Sequence, residues 1–120
     1  MSHKGNHVIV DAKNVKESVC LNDKAFLMAM SSAATKAGAT VISQVRYTFG
    51  QDSRPGFTAI VMLDVSHISV HTYADLGLVA MDVFTCGHTD PMKVFEYISE
   101  EIDLGDDLII RNVERFVMPD

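Results

Sequence analysis

The chain has no tryptophan, two cysteines, three prolines and ten basic residues among its 120. Each scarcity excludes something. Cys20 and Cys86 stand far apart, with no CxxC spacing and no metal-ligand pattern. Free thiols in a reducing compartment are therefore expected. The lysines and arginines form no cluster, and acidic residues bring the net charge to −6. That balance argues against a phosphate-backbone binder, so nucleic acid is not an expected partner. No apolar run approaches the roughly 20 residues of a membrane helix, so a membrane is not expected either. Residues 1–6 lack the apolar segment of a secretory signal, and the expected location is cytoplasmic. No phosphate-binding glycine motif, internal repeat or low-complexity segment is present. An apolar content of 48% with 22% charged residues is that of an ordinary globular chain. Its length fits one domain over 1–120, short enough to gain from an oligomer interface.

What is there reads in order as β-α-β-β-β-β-α-β. His7 to Asp11 is a strand, and Lys13 to Leu21 a connection. Asn22 or Asp23 caps a helix whose apolar residues run from Phe26 to Ala37, and Gly38 ends it. Thr40 to Phe49 is a strand with Val41, Ser43, Val45, Tyr47 and Phe49 on one face. A loop over Gly50 to Gly56 follows, then strands over Phe57 to Leu63, Ile68 to Tyr73 and Val79 to Phe84. Asp90 caps a second helix with Pro91 at its first position. Leu108 to Met118 supplies a last strand. Without βαβ alternation, the expected class is α+β, a mostly antiparallel sheet with two helices packed on one face.

The chemistry concentrates between Asp64 and Tyr73. Ile68 and Val70 alternate with His67, Ser69 and His71, so the hydroxyl and the imidazoles share one strand face. Such a face is either a solvated sheet surface or the lining of a site. His67 and His71 are no metal pair, because four strand residues separate them by roughly 13 Å. Taken singly, Ser66 reads as a turn residue, His71 as a sheet histidine, Thr58 as a β-former and Cys86 as a small core residue.

Together they do more. Ser66-His67, His71-Thr72 and, from position 82, Asp82-x-Phe84-Thr85-Cys86-Gly87 resemble the prokaryotic S-adenosylmethionine decarboxylases. The resemblance runs from about Val8 to Glu101 and is strongest between Thr58 and Ile98. It implies a proenzyme that cuts itself between Val65 and Ser66, giving chains 1–65 and 66–120. Ser66 attacks the carbonyl before it, the peptide becomes an ester, and elimination and hydrolysis leave a pyruvoyl group on residue 66. That covalent cofactor takes the substrate α-amine as a Schiff base and serves as the electron sink for decarboxylation. By the same resemblance His71 is the processing base, Thr58 the second processing hydroxyl, and Cys86 the proton donor to the product carbon.

Two positions depart from the family's pattern. Val65 stands where a glutamate usually precedes the cleavage serine, and Asp75 where a glutamate usually holds the substrate ribose. Val65, Tyr73 and Asp75 are the expected substrate contacts. The implied reaction is decarboxylation of S-adenosylmethionine for polyamine (spermidine) biosynthesis, by a homodimer of cleaved protomers. Two alternatives stay open. One is a pyruvoyl decarboxylase of ornithine or arginine, whose distal cation would meet Asp11, Asp64 or Asp75. The other is a non-catalytic regulatory partner of an active decarboxylase.

Overall fold

Alternation along the strands decides the architecture. In the computed structural model, which describes residues 5–50 and 52–116, the elements are β1 (Gly5–Lys13), α1 (Glu17–Cys20), α2 (Asp23–Lys36), β2 (Val41–Thr48), β3 (Phe57–Leu63), β4 (His67–Tyr73), β5 (Leu78–Cys86), α3 (Pro91–Glu101) and β6 (Asp107–Arg115). The strands form one sheet in the order β2-β3-β4-β5-β1-β6, with every neighbouring pair antiparallel. Val8 and Val10, Ala59 and Val61, Ile68 and Val70, and Met81 and Val83 are all buried on one face of it. α2 and α3 cover that face with Phe26, Met30, Val94 and Ile98, and Phe26 meets Phe57 edge-on at 5.3 Å between ring centres. This is the α+β arrangement that the alternation predicts.

The helix ends follow local chemistry. The Asn22 side chain accepts from the Ala25 N–H, and Gly38 past the end of α2 takes φ 92°. Asp90 accepts from the Met92 N–H, with Pro91 opening α3.

Three expectations need correction. The Lys13 to Leu21 connection contains a turn of helix, α1, in which the Val19 and Cys20 N–H groups both donate to the Lys16 carbonyl. Four residues are too few to show a helical period, and only Cys20 of them is buried. Val41 does not share a face with Ser43, Val45 and Tyr47. A register shift between Val41 and Ser43 turns Val41 toward the core, opposite Leu63. The strands are also longer than the apolar runs: β1 extends to Gly5 and Lys13, and β5 to Cys86. The last strand ends at Arg115; Met118, and Gln51 of the loop, lie outside the described residues.

Candidate active site

The face of the sheet away from the helices carries the chemistry. Thr58, His67, Ser69, His71, Asp82, Phe84 and Cys86 all alternate with core residues, and none is fully buried. β3 and β4 are joined by a tight turn over Asp64 and Val65. The Leu63 N–H donates to the Ser66 carbonyl at 2.9 Å, and the Asp64 N–H to the Thr40 carbonyl at 3.1 Å. Between these two anchors Val65 is 62% exposed. The turn therefore presents the Val65–Ser66 peptide at the sheet's end.

A cavity of about 120 Å³ opens there, lined by Thr40, Asp64, Val65, Ser66, Cys86 and Thr89 among others. It brings together residues twenty apart in sequence, because β4 and β5 pair with His67 opposite Phe84 and so set Cys86 beside the turn. The Thr85 hydroxyl, buried behind it, donates to the Thr89 carbonyl at 2.7 Å and ties down the loop after Cys86.

His71 and Thr58 form a second group. They face each other across β3 and β4, and Thr58 Oγ1 and His71 Nδ1 share a hydrogen bond of 2.7 Å. Within one chain this pair does not reach Ser66. Five residues of extended strand put His71 roughly 16 Å from it. Asp75 lies farther still, in the turn after β4, where Arg54 Nε approaches its carboxylate at 3.7 Å. The Tyr73 ring lies 6.2 Å from that of Phe49, and Phe49 6.5 Å from Tyr47, each pair tilted rather than stacked. The predicted residues thus separate into a turn group (Val65, Ser66, Cys86) and a strand group (Thr58, His71, Tyr73, Asp75).

Sequence reading passed over several neighbours. His7 Nε2 lies 3.0 Å from Asp82 Oδ1, on the strand face that carries Phe84 and Cys86. Arg115 sits over the Phe84 ring at 5.0 Å. Burial, with His7 and Arg115 nearby, holds the His67 imidazole below its usual range, although Asp82 pulls the other way. The position of β1 between β5 and β6 makes this cluster, and no local motif announces it.

An α+β sheet covered by helices on one face, with a serine and a thiol at one end of the bare face and a hydroxyl–imidazole pair farther along it, defines a two-layer protein built around one sheet surface. Comparison with known proteins narrows the class. The family model described as S-adenosylmethionine decarboxylase matches residues 6–115. The chain is 38% identical over 100 residues to the S-adenosylmethionine decarboxylase proenzyme of Synechococcus sp. (strain WH7803), covering 82% of this chain and 75% of that one. It is 43% identical over 96 residues to the proenzyme of Brevibacillus brevis, covering 78% and 69%. The crystal structure of the adenosylmethionine decarboxylase from Aquifex aeolicus VF5 superposes with a TM-score of 0.85 at 26% identity, covering 100% of this chain and 97% of the other. The chain belongs to the S-adenosylmethionine decarboxylase family.

Proposed function

We propose that the chain is a pyruvoyl-dependent S-adenosylmethionine decarboxylase that matures by cutting itself between Val65 and Ser66. The observation that carries this reading is the shared cavity of Ser66 and Cys86 at an exposed turn. The residues fit the group: the serine that would become it and a thiol able to move a proton line one small space. A pyruvoyl group there supplies the electron sink that lets a carboxylate leave. Cys86 then hands a proton to the carbon that lost CO₂.

The strand group completes the site from a second copy. Thr58 and His71 are too far from Ser66 of their own chain, but they lie on the same bare face of the sheet. Two copies packed bare face to bare face bring the Thr58–His71 pair of one to the turn of the other. The imidazole then takes the Ser66 Cα proton in the elimination step, held in place by the Thr58 hydroxyl. Val45, Tyr47, Met62 and Val113 stand exposed on that face and gain by leaving water.

The surroundings of Asp75 favour a nucleoside-bearing substrate. Tyr47, Phe49 and Tyr73 offer ring faces to a flat base, and the Asp75 carboxylate can accept from ribose hydroxyls. Of the carboxylates that could meet the distal cation of ornithine or arginine, Asp75 and Asp11 are already answered by Arg54 and Arg111, which leaves Asp64 among the described residues. The test is intact-mass spectrometry of purified protein, then CO₂ release from S-adenosylmethionine, ornithine and arginine side by side. Two fragments and turnover of S-adenosylmethionine alone are expected, with Ser66→Ala a single inactive chain. Wild-type protein that stays intact removes the electron sink and the activity with it. Turnover of ornithine or arginine alone keeps the mechanism and overturns the substrate.

A further inference from the structure

Self-cleavage begins with a step that precedes the elimination given above to His71. Before any elimination, the Ser66 hydroxyl must add to the Val65 carbonyl and lose its proton, and the departing Ser66 nitrogen must gain one. Besides Cys86, the cavity that holds Ser66 has one ionisable side chain in its lining, Asp64. Its backbone is fixed by the bond from its N–H to the Thr40 carbonyl at 3.1 Å, and the next bond along the turn joins Leu63 to Ser66. The carboxylate is exposed, and no side-chain hydrogen bond or ion pair engages it among the described residues. His67, although adjacent to Ser66 in sequence, packs its ring against Phe84 at 5.7 Å and does not line the cavity.

We propose that Asp64 is the in-chain proton carrier for the first step of self-cleavage. The inference rests on the self-processing reading above. The Asp64 carboxylate accepts the Ser66 hydroxyl proton as the oxygen bonds to the Val65 carbonyl carbon. It delivers the same proton to the Ser66 nitrogen as the C–N bond breaks. One C–O bond forms, one C–N bond breaks, and the carboxylate ends as it began, so no other reactant is consumed. Within this cavity Asp64 serves formation of the ester, while His71 of a second copy serves its breakdown.

The two roles separate in an experiment on the full-length chain made by cell-free translation. Cleavage is followed on denaturing gels, with and without hydroxylamine to reveal ester. Asp64→Asn should cleave at least tenfold more slowly and accumulate as an intact, hydroxylamine-resistant chain. Asp64→Glu should recover most of the rate. Asp64→Ser, a second variant without the carboxylate, should behave as Asn does, and thermal midpoints check that each is folded. Cleavage of both carboxylate-free variants at the wild-type rate overturns the assignment, and so does their stalling as a hydroxylamine-labile ester. A wild-type chain that never cleaves defeats the self-processing reading itself and this assignment with it.

Discussion

At the scale of single residues, Cys86 and His67 show how position on the sheet sets a side chain's work. Cys86 shares a cavity with Ser66, while Cys20 is fully buried, where burial and Glu17 push its thiol upward. Only the first thiol is placed to exchange a proton at the turn. Cys86→Ala should still yield both fragments on a denaturing gel and lose at least tenfold in decarboxylation. Equal turnover in variant and wild type removes the thiol from the mechanism. His67 makes a prediction about pH. Its folded pKa is depressed, so the unfolded chain takes up that proton first, starting near the free value of about 6.5. Folding stability therefore falls as pH drops below about 6.5, until the folded chain protonates as well. The groups around the ring are His7, Asp82, Arg115 and Phe84. Thermal midpoints measured from about pH 7 down to about pH 5 should decline more steeply in wild type than in His67→Gln. Parallel declines would assign the acid sensitivity elsewhere.

At the scale of elements, one buried hydroxyl joins three segments. Thr72 on β4 donates to the Cys20 carbonyl at the end of α1 at 2.7 Å and accepts from the Phe57 N–H at the start of β3 at 3.1 Å. Close by, a Cβ on Gly56 would run into the Thr72 carbonyl, so the chain passes there without a side chain. Thr72→Val keeps the shape but leaves a buried N–H and a buried carbonyl without that partner. A loss of about 1–3 kcal/mol is expected, read as a lower denaturant midpoint at unchanged m-value. The β3–β4 pairing that sets Thr58 against His71 should loosen with it. Such ties are where sequence reading stops. Period-two alternation made the strands and their faces legible, and Asn22, Gly38, Asp90 and Pro91 marked the helix ends. The turn of α1 was too short to leave a pattern, and the shift at Val41 breaks the alternation from which faces are read. Ser66, His71 and Cys86 stood out together only through the resemblance to the decarboxylase family. That Ser66 lies with Cys86 and apart from His71 was not legible, because alternation tells which face a residue takes and not how far along the sheet it ends.

At the scale of the whole molecule, the proposed function makes two separate groups on the sheet the halves of one site. Ser66 and Cys86 sit at the β3–β4 turn, and Thr58 with His71 about five strand residues away on the same bare face. A face carrying Val45, Tyr47, Met62 and Val113 in water has reason to pair, and on the proposed reading an isologous dimer would give each turn the other chain's imidazole. The consequence is subunit complementation. Ser66→Ala alone has nothing to cleave, and His71→Ala alone lacks the imidazole for elimination, so each expressed singly should remain at full length. Expressed together they form mixed dimers, in which the intact Ser66 of one chain meets the intact His71 of the other. The His71→Ala chain, marked by a tag, should then be cut, while the Ser66→Ala chain is never cut. Sedimentation should show the dimer in both single variants, because neither substitution touches the exposed apolar residues of the face. If the tagged chain stays whole in a mixture that sediments as mixed dimers, the halves do not combine between chains. His71 would then have to reach Ser66 of its own chain by a rearrangement of β4.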